Sequence, residues 1–89
     1  MIRVLIVDDS ATAAHILSRL FSSEPEFSVV GIASNGTDAI KMAAKLKPDI
    51  ISMDVIMPDM DGFEATRKIM STQPTPIVIV SSDQVSMSF

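Results

Sequence analysis

Three aspartates carry most of the chemistry this chain could perform: Asp8 and Asp9, adjacent in IRVLIVDDSA, and Asp54, which interrupts the apolar run in DIISMDVIMPDMDG. Like charges held a few ångströms apart raise one another's pKa, and burying them is costly, so a site that gathers all three needs a cation. All are hard oxygen ligands with no His or Cys beside them in sequence. That donor set suits Mg²⁺, which accepts one or two carboxylates, keeps several waters and leaves room for phosphate oxygens. A carboxylate next to such an ion can itself take a phosphoryl group as an acyl phosphate. Asp54 is the preferred nucleophile because it stands alone at the end of its strand. Asp8 and Asp9 point to different sides of the chain, and at least one of them is expected to face the ion.

The elements that must position these residues alternate between two periods. IRVLIV (2–7), FSVVGIA (27–33), DIISMD (49–54) and PIVIVS (76–81) are β-branched, mostly continuous apolar runs of strand length. Strands buried on both faces of a parallel sheet read this way. Between them lie three helical stretches. Ser10 caps a helix with Ala13, Ile16, Leu17, Leu20 and Phe21 as its apolar stripe, ending near Glu24 and Pro25. Asn35 caps the next, with Ile40, Ala43, Ala44 and Leu46 inward and Pro48 closing it. The third runs from about Asp61 to Thr72, with Phe63, Ala65, Thr66, Ile69 and Met70 as its apolar positions.

The resulting βαβαβαβ order, with short connections and right-handed crossovers, restricts the chain to an α/β doubly wound parallel sheet, for which 2-1-3-4 is one strand order. Helix one then lies opposite helices two and three. The order reverses between strands one and three, and ligands of such sheets bind outside the carboxyl ends of the strands at that point. Asp8, Asp9 and Asp54 are all expected there. Ser81, ending strand four, can reach an oxygen of a phosphoryl group on Asp54, and Ser82 can offer its backbone N–H. The start of helix one adds a favourable dipole for an anion. MPDMDG turns the chain over the site, stiffened by Pro58, with Gly62 permitting a tight turn.

Composition narrows the classes of function. The chain has 89 residues, 47% of them hydrophobic and 20% charged, which fits one small globular domain spanning 1–89. With no Cys there is neither a disulfide framework nor a thiolate metal site, and an intracellular, cytoplasmic setting is the default expectation. The apolar run before Asp8 is too short for a signal-peptide core, and no segment reaches membrane-spanning length. A formal charge of -4 with scattered Lys and Arg disfavours direct contact with nucleic acid or anionic lipid.

Taken singly, these residues are weak signals. An Asp at a strand end is more often a turn former or helix cap, as Asp59 and Asp61 are expected to be. His15 reads as a solvated or packing His, and the Met residues as core and turn packing, with Met57 and Met60 near the site rim. The joint pattern is far stronger: VDDS after strand one, MD-x-x-MP-x-MDG after strand three and VSS after strand four, in that order.

With those motifs in that order, the chain resembles the receiver domain of bacterial two-component response regulators over nearly its whole length. STQPTPIVIVSS and VVGIASNGTDAI look most like the receiver of chemotaxis protein-glutamate methylesterases. The resemblance implies a flavodoxin-like fold, and it is this that selects the strand order 2-1-3-4. It implies Asp54 as phosphoacceptor, Asp9 as the direct Mg²⁺ ligand, and Asp8 as its partner acting largely through water. Ile56 matches the position whose backbone carbonyl completes the metal shell, and Ser81 the switch hydroxyl. A histidine kinase is the implied phosphodonor, with an output domain or chemotaxis partner downstream.

The family pattern continues past Phe89 through a fourth helix, a fifth strand carrying an essential Lys, and a fifth helix. The chain is therefore expected to be the amino-terminal portion of a receiver, without methylesterase activity of its own. Strand four is expected as an exposed edge that invites self-association. Two rival functions remain in view. A phosphorylation-impaired interaction module fits the missing Lys, whereas retention of Asp8, Asp9, Asp54 and Ser81 favours competence. An Asp-nucleophile, metal-dependent phosphatase of the haloacid-dehalogenase type would need a second acid two residues after the nucleophile, where Ile56 stands.

Overall fold

A computed structural model describes residues 1–58 and 60–80 in full, together with the backbone of 85–88. The strands are β1 (Ile2–Val7), β2 (Phe27–Ala33), β3 (Ile50–Asp54), β4 (Ile77–Val80) and β5 (Val85–Ser88). The helices are α1 (Ala11–Ser22), α2 (Gly36–Leu46) and α3 (Gly62–Thr72). The sheet order is β2-β1-β3-β4-β5. The first four strands pair in parallel, as their mostly continuous apolar runs predict.

The edge at β4 differs from the sequence expectation. β5 pairs antiparallel with β4, Val80 opposite Val85 and Ile77 opposite Ser88, so the edge through which self-association was expected is hydrogen-bonded within the chain. The β-branched Val85 opens the returning strand. In sequence VSMS is too short and too polar to announce a strand.

Two cores flank the sheet. Leu5, Val7, Ile51, Met53, Ile77 and Ile79 face Ala39 and Ala43 of α2 and Ala65 and Ile69 of α3. On the other face Val4 and Ile6 meet Ala14, with Leu17, Phe21, Phe27 and Val29 around them. The rings of Phe21 and Phe27 pack edge to face at 5.3 Å between centroids, a geometry that aromatic quadrupoles favour.

Each helix starts as its cap residue dictates. Ser10, Asn35 and Asp61 accept backbone N–H bonds from Ala13, Asp38 and Glu64 at 3.2, 2.8 and 2.8 Å. The end of α2 is held from outside: Arg3 donates from Nη1 to the carbonyls of Leu46 (2.6 Å) and Lys47 (2.9 Å), while Lys47 adopts left-handed backbone at φ 50°.

The inward faces of the helices are narrower than the apolar periodicity implies. Ile16 and Leu20 on α1 are 54% and 61% exposed, and Ala14 is the residue buried in their place. On α3, Phe63 (58%) and Met70 (41%) are exposed, leaving Ala65 and Ile69 to make the contact. Ala44 of α2 likewise faces out, and Ala39 lies inside. A helix packs closest to a sheet through small side chains, so alanines take the line of contact and push larger neighbours to the flanks.

Candidate functional site at the carboxyl ends of β1 and β3

β1 and β3 are neighbours whose successors in sequence have opposite tasks, since β1 leads into α1 on one face and β3 into α3 on the other. Val7 pairs with Met53, which sets Asp8 and Asp54 side by side at the carboxyl edge of the sheet. Asp8 extends the ladder by one step, its N–H donating to the carbonyl of Ala33 at 3.0 Å. One of its carboxylate oxygens accepts the N–H of Ser10 at 2.9 Å, which ties the acid to the start of α1. Asp8 is buried and Asp9 exposed, so the pair does present different faces, as adjacency at a strand end implies.

Asp8, Asp9 and Asp54 each offer a carboxylate oxygen within 4.8 Å of the others. They open onto a cleft of about 380 Å³ that is also lined by Ser10, Ala13, Ile56 and Val80. Ala13 and Val80 were not foreseen as lining residues. Ala13 lies within the first turn of α1 and Val80 at the last position of β4, so only the pairing of the strands reveals them. Ser81 and Ser82 lie outside the described residues.

The electrostatics of the cluster fall on Asp54. Burial pushes its carboxyl up to about 6, with Asp8 and then Asp9 adding to the rise and the N–H of Ile56 opposing it. That last bond is long, 3.4 Å from Ile56 N to Asp54 Oδ1. A divalent cation among the three acids would reverse the cost of assembling them. An all-oxygen donor set at this spacing fits Mg²⁺.

The loop after β3 is held tightly. Gly62 donates its N–H to the carbonyl of Val55 at 2.9 Å, and a Cβ on Gly62 would lie against the carbonyl group of Asp54 itself. The sequence suggests Gly62 as a residue for a turn; its backbone shows no positive φ, and the requirement is close approach instead. Ile56, 69% exposed, projects at the rim.

Residues 4–88 match the family model described as response regulator receiver domain. The chain belongs to the response regulator receiver domain family. This receiver is 52% identical over 86 residues to a protein-glutamate methylesterase/protein-glutamine glutaminase of Syntrophus aciditrophicus, covering 97% of the chain and 25% of that protein. A second enzyme of that description, from Methanospirillum hungatei, is 54% identical over 81 residues, with 91% and 23% covered. The receiver thus spans about a quarter of the length of these curated relatives.

Among solved structures it superimposes on the response regulator domain of Thermotoga maritima CheB with a TM-score of 0.90 and 46% identity, covering 92% of this chain and 61% of that one. The CheX-CheY-BeF3-Mg²⁺ complex of Borrelia burgdorferi gives a TM-score of 0.85 at 31% identity, with 91% and 62% covered. The receiver fold, with its four parallel strands in the order 2-1-3-4, is common ground with these structures.

Proposed function

We propose that this receiver accepts a phosphoryl group on Asp54 from a phosphohistidine of a sensor kinase, within a chemotaxis pathway of the methylesterase type, and that 1–89 acts in the cytoplasm as one signalling domain. The observation that carries the reading is the convergence of Asp8, Asp9 and Asp54 within 4.8 Å at the sheet's switch point. The Borrelia relative, whose structure contains BeF3 and Mg²⁺, supports the choice of ion.

Mg²⁺, when bound, supplies the positive charge that offsets the three acids and the phosphoryl oxygens. The residues of the chain do the rest. Asp9, Asp54 and the backbone carbonyl of Ile56 would hold the ion, with Asp8, one oxygen of which is committed to Ser10, in a supporting role. Asp54 attacks phosphorus through a free carboxylate oxygen; the new O–P bond forms as the donor's N–P bond breaks, and the imidazole nitrogen leaves with its electron pair and takes up a proton. The Ser81 hydroxyl and the Ser82 N–H contact the acquired phosphoryl oxygens. The domain catalyses only its own phosphorylation and dephosphorylation, and an output domain or chemotaxis partner reads the change.

The test uses this sequence joined to the remainder of a receiver domain, incubated with a small acyl phosphate and Mg²⁺. Intact mass should gain a single phosphoryl group, which fails to form when the metal is chelated beforehand or in Asp54→Asn. An adduct that forms equally well without a divalent cation would overturn the proposal.

A further inference from the structure

Asn35 and Gly36 form an Asn-Gly step at the start of α2, a part of the chain that phosphoryl chemistry does not use. We propose that Asn35 is a site of spontaneous deamidation, gated by the cap that its side chain makes on α2. In the reaction the amide nitrogen of Gly36 loses its proton and attacks Asn35 Cγ. A C–N bond forms, the side-chain nitrogen leaves as ammonia, and a five-membered succinimide results. Water then opens either carbonyl, giving Asp or isoaspartate at position 35. Glycine at 36 matters because it places no side chain beside the attacking nitrogen.

The folded structure opposes each requirement of that reaction. Asn35 Oδ1 accepts the N–H of Asp38 at 2.8 Å, and Nδ2 donates to Asp38 Oδ2 at 3.1 Å, so both ends of the amide are held by one residue. Asn35 is extended, at φ -158° and ψ 170°, and Gly36 is buried against Met60, whose side-chain atoms would lie within 2.8–2.9 Å of a Cβ there. Ring closure requires the amide to leave Asp38. The product also damages what it leaves behind. Aspartate at 35 sets a carboxylate against that of Asp38, and isoaspartate inserts a methylene into the backbone where α2 meets the loop that carries Met60.

The experiment follows position 35 by peptide mapping and isoelectric focusing during incubation at mildly alkaline pH. It compares the wild-type protein, the protein unfolded in urea, Asp38→Ala and Ile6→Val. Asp38→Ala removes the acceptor of Nδ2; Ile6→Val loosens the core on the α1 side and leaves the cap intact. The unfolded chain should react fastest. Asp38→Ala should react roughly fivefold faster than wild type, the factor for losing about 1 kcal/mol of hydrogen bonding to Asn35 Nδ2, while Ile6→Val stays within about twofold of it, as expected where both hydrogen bonds of the amide are kept. The proposal fails if the unfolded chain does not convert at position 35, if wild type converts as fast as the unfolded chain, or if Ile6→Val accelerates the reaction as much as Asp38→Ala.

Discussion

Replacing Gly62 by Ala probes how tightly the loop after β3 fixes Asp54. A Cβ at this position would stand 2.9 Å from the Asp54 carbonyl carbon and 3.0 Å from Val55 Cα, nearer still to the Asp54 carbonyl oxygen. Carbon contacts are comfortable at about 3.5–4.0 Å, so main-chain atoms must retreat by roughly 0.5 Å or more. Backbone in a paired strand cannot do so cheaply, which puts the cost near the upper end of overpacking penalties, about 3 kcal/mol. The helix propensity gained by Ala offsets up to about 1 kcal/mol. A net loss of about 2 kcal/mol lowers Tm by roughly 8–16 °C in a domain of this size. Thermal unfolding followed by circular dichroism measures it, with Gly31→Ala for comparison. There a Cβ meets Met42 Cε at 2.6 Å, the mobile end of a side chain, and the cost should stay below about 1 kcal/mol. Equal Tm values for the two variants would refute the argument from backbone contact.

Other outcomes follow from the same structure. Lys47→Gly should stabilise the protein by about 1 kcal/mol in chemical denaturation, because Lys47 holds left-handed backbone at φ 50°. Asp9→Ala should weaken Mg²⁺ binding by roughly tenfold in titration, about 1.4 kcal/mol, and Asp8→Ala by less, since Asp8 already serves Ser10. The carboxyl of Asp54 rises from 3.8 to about 6 on folding, so without metal the folded state holds its proton more tightly than the unfolded chain. That contribution is full below pH 4 and is lost as pH rises through about 6, an effect of order 1 kcal/mol once solvent screening is allowed for. Asp54→Asn should remove this slope from denaturation curves across pH 4–7, and Mg²⁺ affinity in the unaltered protein should fall below about pH 6 as the proton competes.

The four parallel strands and three helices were legible because each strand is a mostly apolar, β-branched run and each helix begins at a polar cap. Asp8, Asp9 and Asp54 could be placed together once the family resemblance selected the strand order: it makes β1 and β3 neighbours, and each acid ends or follows its strand. Periodicity overreached on the first and third helices: Ile16, Leu20, Phe63 and Met70 are as apolar as core residues yet exposed, Ala65 and Ile69 of the expected stripe are buried, and Ala14, outside it, is buried too. β5 was not legible, because its pairing depends on an edge that only the assembled sheet presents. The reason for Gly62 was hidden too, since closeness to the Asp54 carbonyl is a fact of tertiary packing.

The central claim is that Asp54 itself carries the phosphoryl group, and reductive trapping locates it. Borohydride converts an aspartyl phosphate to homoserine, which peptide mapping assigns to a single position. After treatment with a small acyl phosphate and Mg²⁺, in this sequence joined to the remainder of a receiver, homoserine should appear at position 54 and nowhere else. Homoserine at position 8 or 9, or an unchanged Asp54 in protein shown by mass to carry the phosphoryl group, would contradict the account.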